Sequence, residues 1–166
     1  MVEKEEIIKE KISHSGVFSF SDFYKYAHSW LKDEDYGVAE EKYAEKVSGD
    51  ARDIAIEWKV IKQISDYLKT GWKVEFDVEG LKDVEVEIDG KKRKMNKGKI
   101  TMEIKAAIFR DPESNWESSP FNRFLRDVYN KYIIPKRLED VKERIIKDVQ
   151  DYKEELKAFL ELTGKR

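Results

Sequence analysis

Six cations fall within nine residues of this chain, Lys91, Lys92, Arg93, Lys94, Lys97 and Lys99, in the run Lys91-Lys92-Arg93-Lys94-Met95-Asn96-Lys97-Gly98-Lys99. The chemistry open to such a run is displacement of counterions from a polyanion, which makes RNA the first partner to consider. Lysine contacts of this kind hold phosphates and position a nucleic acid without reading its sequence. No aromatic residue within the run offers base stacking. The plainer role for the same residues is a solvated turn that keeps a hairpin soluble and discourages edge pairing.

An acidic set lies just upstream. Glu75, Asp77 and Glu79 alternate along one predicted strand, and Asp83, Glu85, Glu87 and Asp89 along the next. Across an antiparallel pair some of these carboxylates face each other, which is unfavourable, with Lys73, Lys99 and Lys105 as relief. Such a patch suits a basic partner or a divalent cation, but no metal-loop spacing accompanies it. A basic tip beside an acidic face makes the sheet dipolar, which favours an oriented partner or head-to-tail self-association.

Catalytic signals are sparse. His14 sits in the break Ser13-His14-Ser15-Gly16, and His28 lies off the core stripe of its helix, neither with a companion at metal-ligand spacing. His28 with Asp33 or Asp35 makes only the acid–base pairing that any charged surface offers. The chain has no nucleophile elbow, phosphate-cradling glycine loop or dinucleotide fingerprint, so no catalytic residue, cofactor or metal is assigned. Trp116, in the polar segment Asp111–Ser118, is either an exposed binding anchor or a lid folded under its loop, and burial of large aromatics favours the lid.

The elements that must position these residues follow from composition and periodicity. A chain of 166 residues with 40% hydrophobic and 12% aromatic content suffices for one folded domain, here taken as 1–166. Cysteine is absent, which excludes disulfides, thiol nucleophiles and thiolate metal sites. Charged residues make up 41%, with only Gln63 and Gln150 as glutamines. That balance fits a cytoplasmic protein of a heat-loving organism. No apolar run approaches the roughly 20 residues of a membrane span, and the charged start Met1–Glu6 reads as no secretory signal. With a net charge of −2, any anion-binding surface must be local.

Residues 3–33 read as helical, with Ile7, Ile8 and Ile12 as a first stripe and Ser15-Gly16 as a break. Ser19 and Asp22 have capping-box spacing ahead of a helix whose core face is Phe23, Ala27, Trp30 and Leu31. Residues 36–110 read as an antiparallel meander: Ile54–Val60, Trp72–Val78, Val84–Ile88 and Ile100–Ala106 all alternate. Its turns are expected at Glu79-Gly80-Leu81-Lys82 and in the basic run. Residues 36–47 have helix-forming composition, yet Ser48-Gly49-Asp50 is a hairpin turn, which favours an extra edge strand. Residues 119–163 read as two helices, the first opening at Pro120 and the second running from Lys136 to Thr163. The stripe of the second is Leu138, Val141, Ile145, Val149, Tyr152, Leu156 and Phe159, whose irregular steps favour packing on a sheet over a coiled coil. The expected architecture is α+β, a four- or five-stranded antiparallel meander with N-terminal helices and two C-terminal helices on one face.

The segments Gly80–Val86, Lys94–Gly98, Pro120–Asp127, Tyr132–Ile134 and Lys157–Leu160 together resemble an uncharacterised family of small archaeal proteins, over most of the chain from Phe18 onward. The resemblance implies an archaeal, cytoplasmic setting and carries no functional residues across. The residues themselves favour a non-enzymatic binding protein engaging structured RNA or a ribosomal particle through Lys91, Lys92, Arg93, Lys94, Lys97 and Lys99. Arg123, Arg126 and Lys131 are candidates to extend that surface. A homodimeric assembly module is the alternative, and a small-ligand carrier or enzyme with a pocket between sheet and C-terminal helix the third. A peripheral membrane role for the lysines lacks apolar anchors in the tip.

Overall fold

Alternating β-branched and aromatic residues dominate the middle of the chain, and they form a five-stranded antiparallel sheet. The computed structural model of the protein describes residues 3–65, 68–110 and 134–164. Its strands are β1 (Glu3–Phe18), β2 (Gly37–Ser48), β3 (Ala51–Gln63), β4 (Leu68–Ile88) and β5 (Lys91–Arg110), with helices α1 (Phe20–Asp33) and α2 (Ile134–Gly164). The order is β1-β5-β4-β3-β2. Strands β2 to β5 run as successive neighbours, while β1 comes round to pair with β5, so the sheet is not a simple meander. Residues 36–47 do form the edge strand, β2. The predicted Pro120 helix and the Trp116 loop lie outside the described residues.

Residues 3–18 are a strand, not a helix. Ile12 is buried on the helix-covered face opposite Met102, and Glu10 and His14 flank it at period two opposite Ile104 and Ile100. A register shift between Glu6 and Ile8 accommodates Ile7, which obscures the alternation in the sequence. The edge of β5 supplies a partner that local propensity cannot anticipate.

A second correction concerns Glu79–Lys82. These residues are a bulge inside one 21-residue strand rather than a turn between two strands. Gly80 adopts φ 62°, and Gly80 and Leu81 together oppose Gly98. The Asp53 carboxylate accepts the Gly80 N–H at 2.9 Å, and Leu81 turns back into the core with 0% exposure. A turn and a bulge of this kind both require a left-handed glycine, so the sequence signal is the same for either. The true turn is Asp89-Gly90, both at positive φ (52° and 78°), the geometry of a two-residue hairpin.

Both helices cover one face of the sheet. Ser19 caps α1, accepting the Asp22 N–H, and the unpaired Phe20 N–H donates to Asn96 Oδ1 of β5 at 3.0 Å. Phe23, Ala27 and Leu31 of α1 are buried, as are Leu138, Ile145, Val149, Tyr152, Leu156 and Leu160 of α2. Beneath them lie Trp58, Trp72 and Phe76 from the sheet. Tyr152 joins the helices by donating its hydroxyl to the Ala27 carbonyl at 3.0 Å, and burial pushes its phenol well above the ordinary range.

Two lysines tether α2 to β1: Lys142 to Glu5 at 2.9 Å and Lys153 to Glu10 at 2.8 Å. The hydrogen bond from Lys142 holds the Glu5 carboxyl below its usual pKa of 4.5. A lowered carboxylate pKa stabilises the fold above pH 4.5 and loses that contribution as pH falls through the lowered value. Glu5 is more than a third exposed, so screening holds the effect to roughly 0.2–1 kcal/mol. Glu5→Gln is expected to remove this part of the acid sensitivity, read as a smaller loss of Tm between pH 5 and pH 3 than the wild type shows.

Candidate nucleic-acid interface

Alternation along β5 divides the basic run between two sides. Past the last β3 partner at Lys82 and the last β1 partner at Asn96, β4 and β5 continue alone as a two-stranded arm. Directly opposed residues in an antiparallel pair share a side. Lys92 faces Glu87 and Lys94 faces Glu85 on the side that α1 occupies lower down. Lys91 and Arg93 face Ile88 and Val86 on the other side, where Met95 is buried opposite Val84 and Lys97 meets Lys82. Lys99 stands opposite Glu79, below the arm.

The sequence expectation therefore changes in two respects. The six cations lie along a strand with their turn before them, not within a flexible tip. The acidic residues 75–79 and 83–89 are on one strand and do not oppose each other; two of them, Glu87 and Glu85, instead stand opposite Lys92 and Lys94. What remains concentrated is Lys91, Arg93 and Lys97 around a small apolar strip, joined by Lys82, whose ammonium also lies 3.8 Å from Asp50. Lys82 carried no signal in the sequence, because its membership depends on the bulge. Arg123, Arg126 and Lys131 lie outside the described residues.

The base of the arm is held by a polar chain across the sheet. Asn96 accepts from Phe20 and donates to Asp83 at 2.9 Å, and Arg52 donates to the same Asp83 oxygen at 3.2 Å. Arg52 also pairs with Glu45 of β2 at 3.5 Å. Strands β2 to β5 and the start of α1 are thus linked at the point where the arm leaves the sheet.

Below the arm, the face opposite the helices is banded. Lys9, Lys105, Lys73 and Lys59 stand in a row across β1, β5, β4 and β3, each directly opposite the next. The neighbouring row is Glu103, Glu75 and Glu57. Lysines reach to it along their own strand, Lys73 to Glu75 at 3.0 Å and Lys105 to Glu103 at 3.7 Å, and diagonally, Lys73 to Glu57 at 3.5 Å and Lys9 to Glu103 at 3.6 Å. The hydrogen bond to Glu75 raises the Lys73 pKa above its ordinary value. On the far side of the lysine row is an apolar row, Ala107, Gly71 and Ile61, with the Phe109 ring laid over Gly71. This end of the face forms a groove of about 630 Å³.

The histidines stand apart. His14 lies edge-on to Phe18 and His28 edge-on to Trp58, with ring centroids 5.8 and 5.6 Å apart. Among the described residues no cluster of three His, Asp or Glu side chains is placed to hold a metal. No described helix is long and apolar enough to cross a membrane. Neither protein-family models nor curated proteins match the chain.

Proposed function

We propose that this is a non-enzymatic, cytoplasmic binding protein that engages structured RNA, with a ribosomal particle as its natural context, through one side of the β4–β5 arm. The observation that carries the reading is the register: Lys91, Arg93 and Lys97 share a side with no carboxylate opposite them, whereas Lys92 and Lys94 each face one. A narrow, cationic two-stranded ribbon can reach phosphates that a broad sheet cannot, and Arg93 adds a fork suited to bidentate phosphate contact. Affinity arises from counterion release, so binding is salt-dependent and tolerant of sequence.

The test is RNA binding measured against salt, and co-sedimentation with ribosomal particles, for two neutralised variants. Lys91→Gln/Arg93→Gln/Lys97→Gln is expected to shed about two to three counterions' worth of salt slope, at roughly 0.7–0.9 per phosphate contact. Lys92→Gln/Lys94→Gln is expected to stay near the wild-type slope. Equal losses in both variants, or no RNA binding by the wild type at low salt, sink the reading.

A second reading has one observation in its favour. The outer edge of β2 is unpaired within the described sheet, and Tyr43 and Val47 on it are 51% and 64% exposed. Edge pairing into a homodimer predicts a concentration-dependent mass, which sedimentation equilibrium reads directly. Glu41, Lys42, Glu45 and Lys46 along this strand work against such pairing.

A further inference from the structure

The row of four lysines is an electrostatic cost that the fold offsets on one side only. Like charges directly opposite across an antiparallel pair are destabilising, and here Lys9, Lys105, Lys73 and Lys59 are so placed in succession. The carboxylate row answers Lys9, Lys105 and Lys73. Lys59 has no carboxylate partner among the described residues, nor does Lys69 across the apolar row, whose ammonium lies 5.7 Å from the Phe109 centroid. Lys4 approaches the same ring at 6.0 Å.

We propose that this groove is a binding site for a single-chain anionic amphiphile, with its carboxylate or phosphate head between Lys59 and Lys69 and its alkyl body along the apolar row. Charge complementarity favours an anion: six lysines line the groove against three glutamates, Glu6, Glu41 and Glu57. The floor favours an apolar body, because it is formed by Ile61, Ala107, Ile7 and the Phe109 ring. Glycine at position 71 leaves room for that ring where it lies, since a Cβ there would stand 2.7 Å from Phe109 Cε2 and the ring would have to shift. Size agrees as well. The volume of about 630 Å³ is that of a small-ligand site, and the three spacings of about 4.8 Å from β3 to β1 give about 14 Å of length. The two lysines without a carboxylate partner among the described residues, Lys59 and Lys69, are on β3 and β4, so the head lies there and the tail points toward β1. This site is separate from the arm and stands or falls independently of RNA binding.

The experiment is calorimetric titration of the full chain with dodecanoate, dodecyl phosphate and dodecyltrimethylammonium, all below micelle formation, with inorganic phosphate as the head alone. The two anionic amphiphiles are expected to bind one per chain. The ammonium and inorganic phosphate are expected to bind at least about a hundredfold more weakly, lacking the matched charge or the apolar body. Lys59→Glu/Lys69→Glu, two surface changes that leave the core intact, is expected to weaken dodecanoate binding by about tenfold or more with an unchanged melting curve. Ile61→Asn is expected to weaken it while leaving RNA binding unaltered. Equal binding of the ammonium, tight binding of inorganic phosphate alone, indifference to the lysine reversal, or several amphiphiles per chain overturns the proposal.

Discussion

Replacing Tyr152 by alanine is expected to cost about 3–5 kcal/mol, a large share of the stability of a domain this size. The side chain is fully buried where α2, α1 and the sheet converge. Its ring packs 4.8 Å from Trp30 and 6.1 Å from Trp72, centroid to centroid, so truncation leaves a cavity lined by two indoles that cannot close over it. Tyr152→Phe keeps the ring and removes only the hydroxyl bound to Ala27, for about 0.5–1.5 kcal/mol. Urea denaturation of the pair separates packing from hydrogen bonding. Similar losses in both variants contradict the account. Alkali provides a further check. A phenol held above its ordinary value of 10.0 stabilises the fold below that pH and loses the contribution as pH rises through the raised value. The phenylalanine variant is therefore expected to lose less stability above pH 10 than the wild type.

Gly98→Val is expected to lower stability by about 1–3 kcal/mol or more and to disable the arm as well. A Cβ at position 98 would stand 3.0 Å from the Glu79 carbonyl oxygen, 3.1 Å from Leu81 Cα and 3.2 Å from the Gly80 carbonyl oxygen. These are backbone atoms of the bulge and cannot rotate away. Relief requires opening the bulge, which withdraws Leu81 from the core and frees the pairing beyond Lys82. β5 keeps its register on β1 through Asn96, so a slip of one residue in β4 would carry Glu85 and Glu87 to the side of Lys91, Arg93 and Lys97. Gly80→Asn is the control, because position 80 faces open space and asparagine tolerates the left-handed conformation. Thermal melting and RNA binding are expected to fall together for Gly98→Val and to change little for Gly80→Asn. A Gly98→Val protein that melts and binds like the wild type shows that the bulge does not hold the arm in register.

Where side-chain periodicity is set by burial alone, the sequence was readable. The strands through Trp58, Phe76 and Ile104, the capped helix at Ser19 and the stripe Leu138–Phe159 all follow from alternation or helical spacing. β1 was not readable, because Ile7 sits in a bulge and the strand owes its existence to β5. The bulge at Gly80 is indistinguishable from a turn until Gly98 is seen opposite it. That ambiguity also concealed the candidate site. With a turn at 80, the basic run is an undivided tip; with a bulge, it is a strand whose odd and even residues have different neighbours. The lysine row was equally hidden, since its members come from four strands and adjoin only through register.

The pairing of β1 with β5 also governs the order in which the protein can assemble. β1 sets Ser13 against Thr101, and nothing nearer in the chain completes its ladder. At about 5–20 residues per second, synthesis leaves the isoleucine-bearing β1 without its partner for on the order of ten seconds, while β2, β3 and β4 can already zip together. Nascent chains therefore carry an unpaired strand with three isoleucines through about half of their elongation, the interval in which a chaperone has the most to protect.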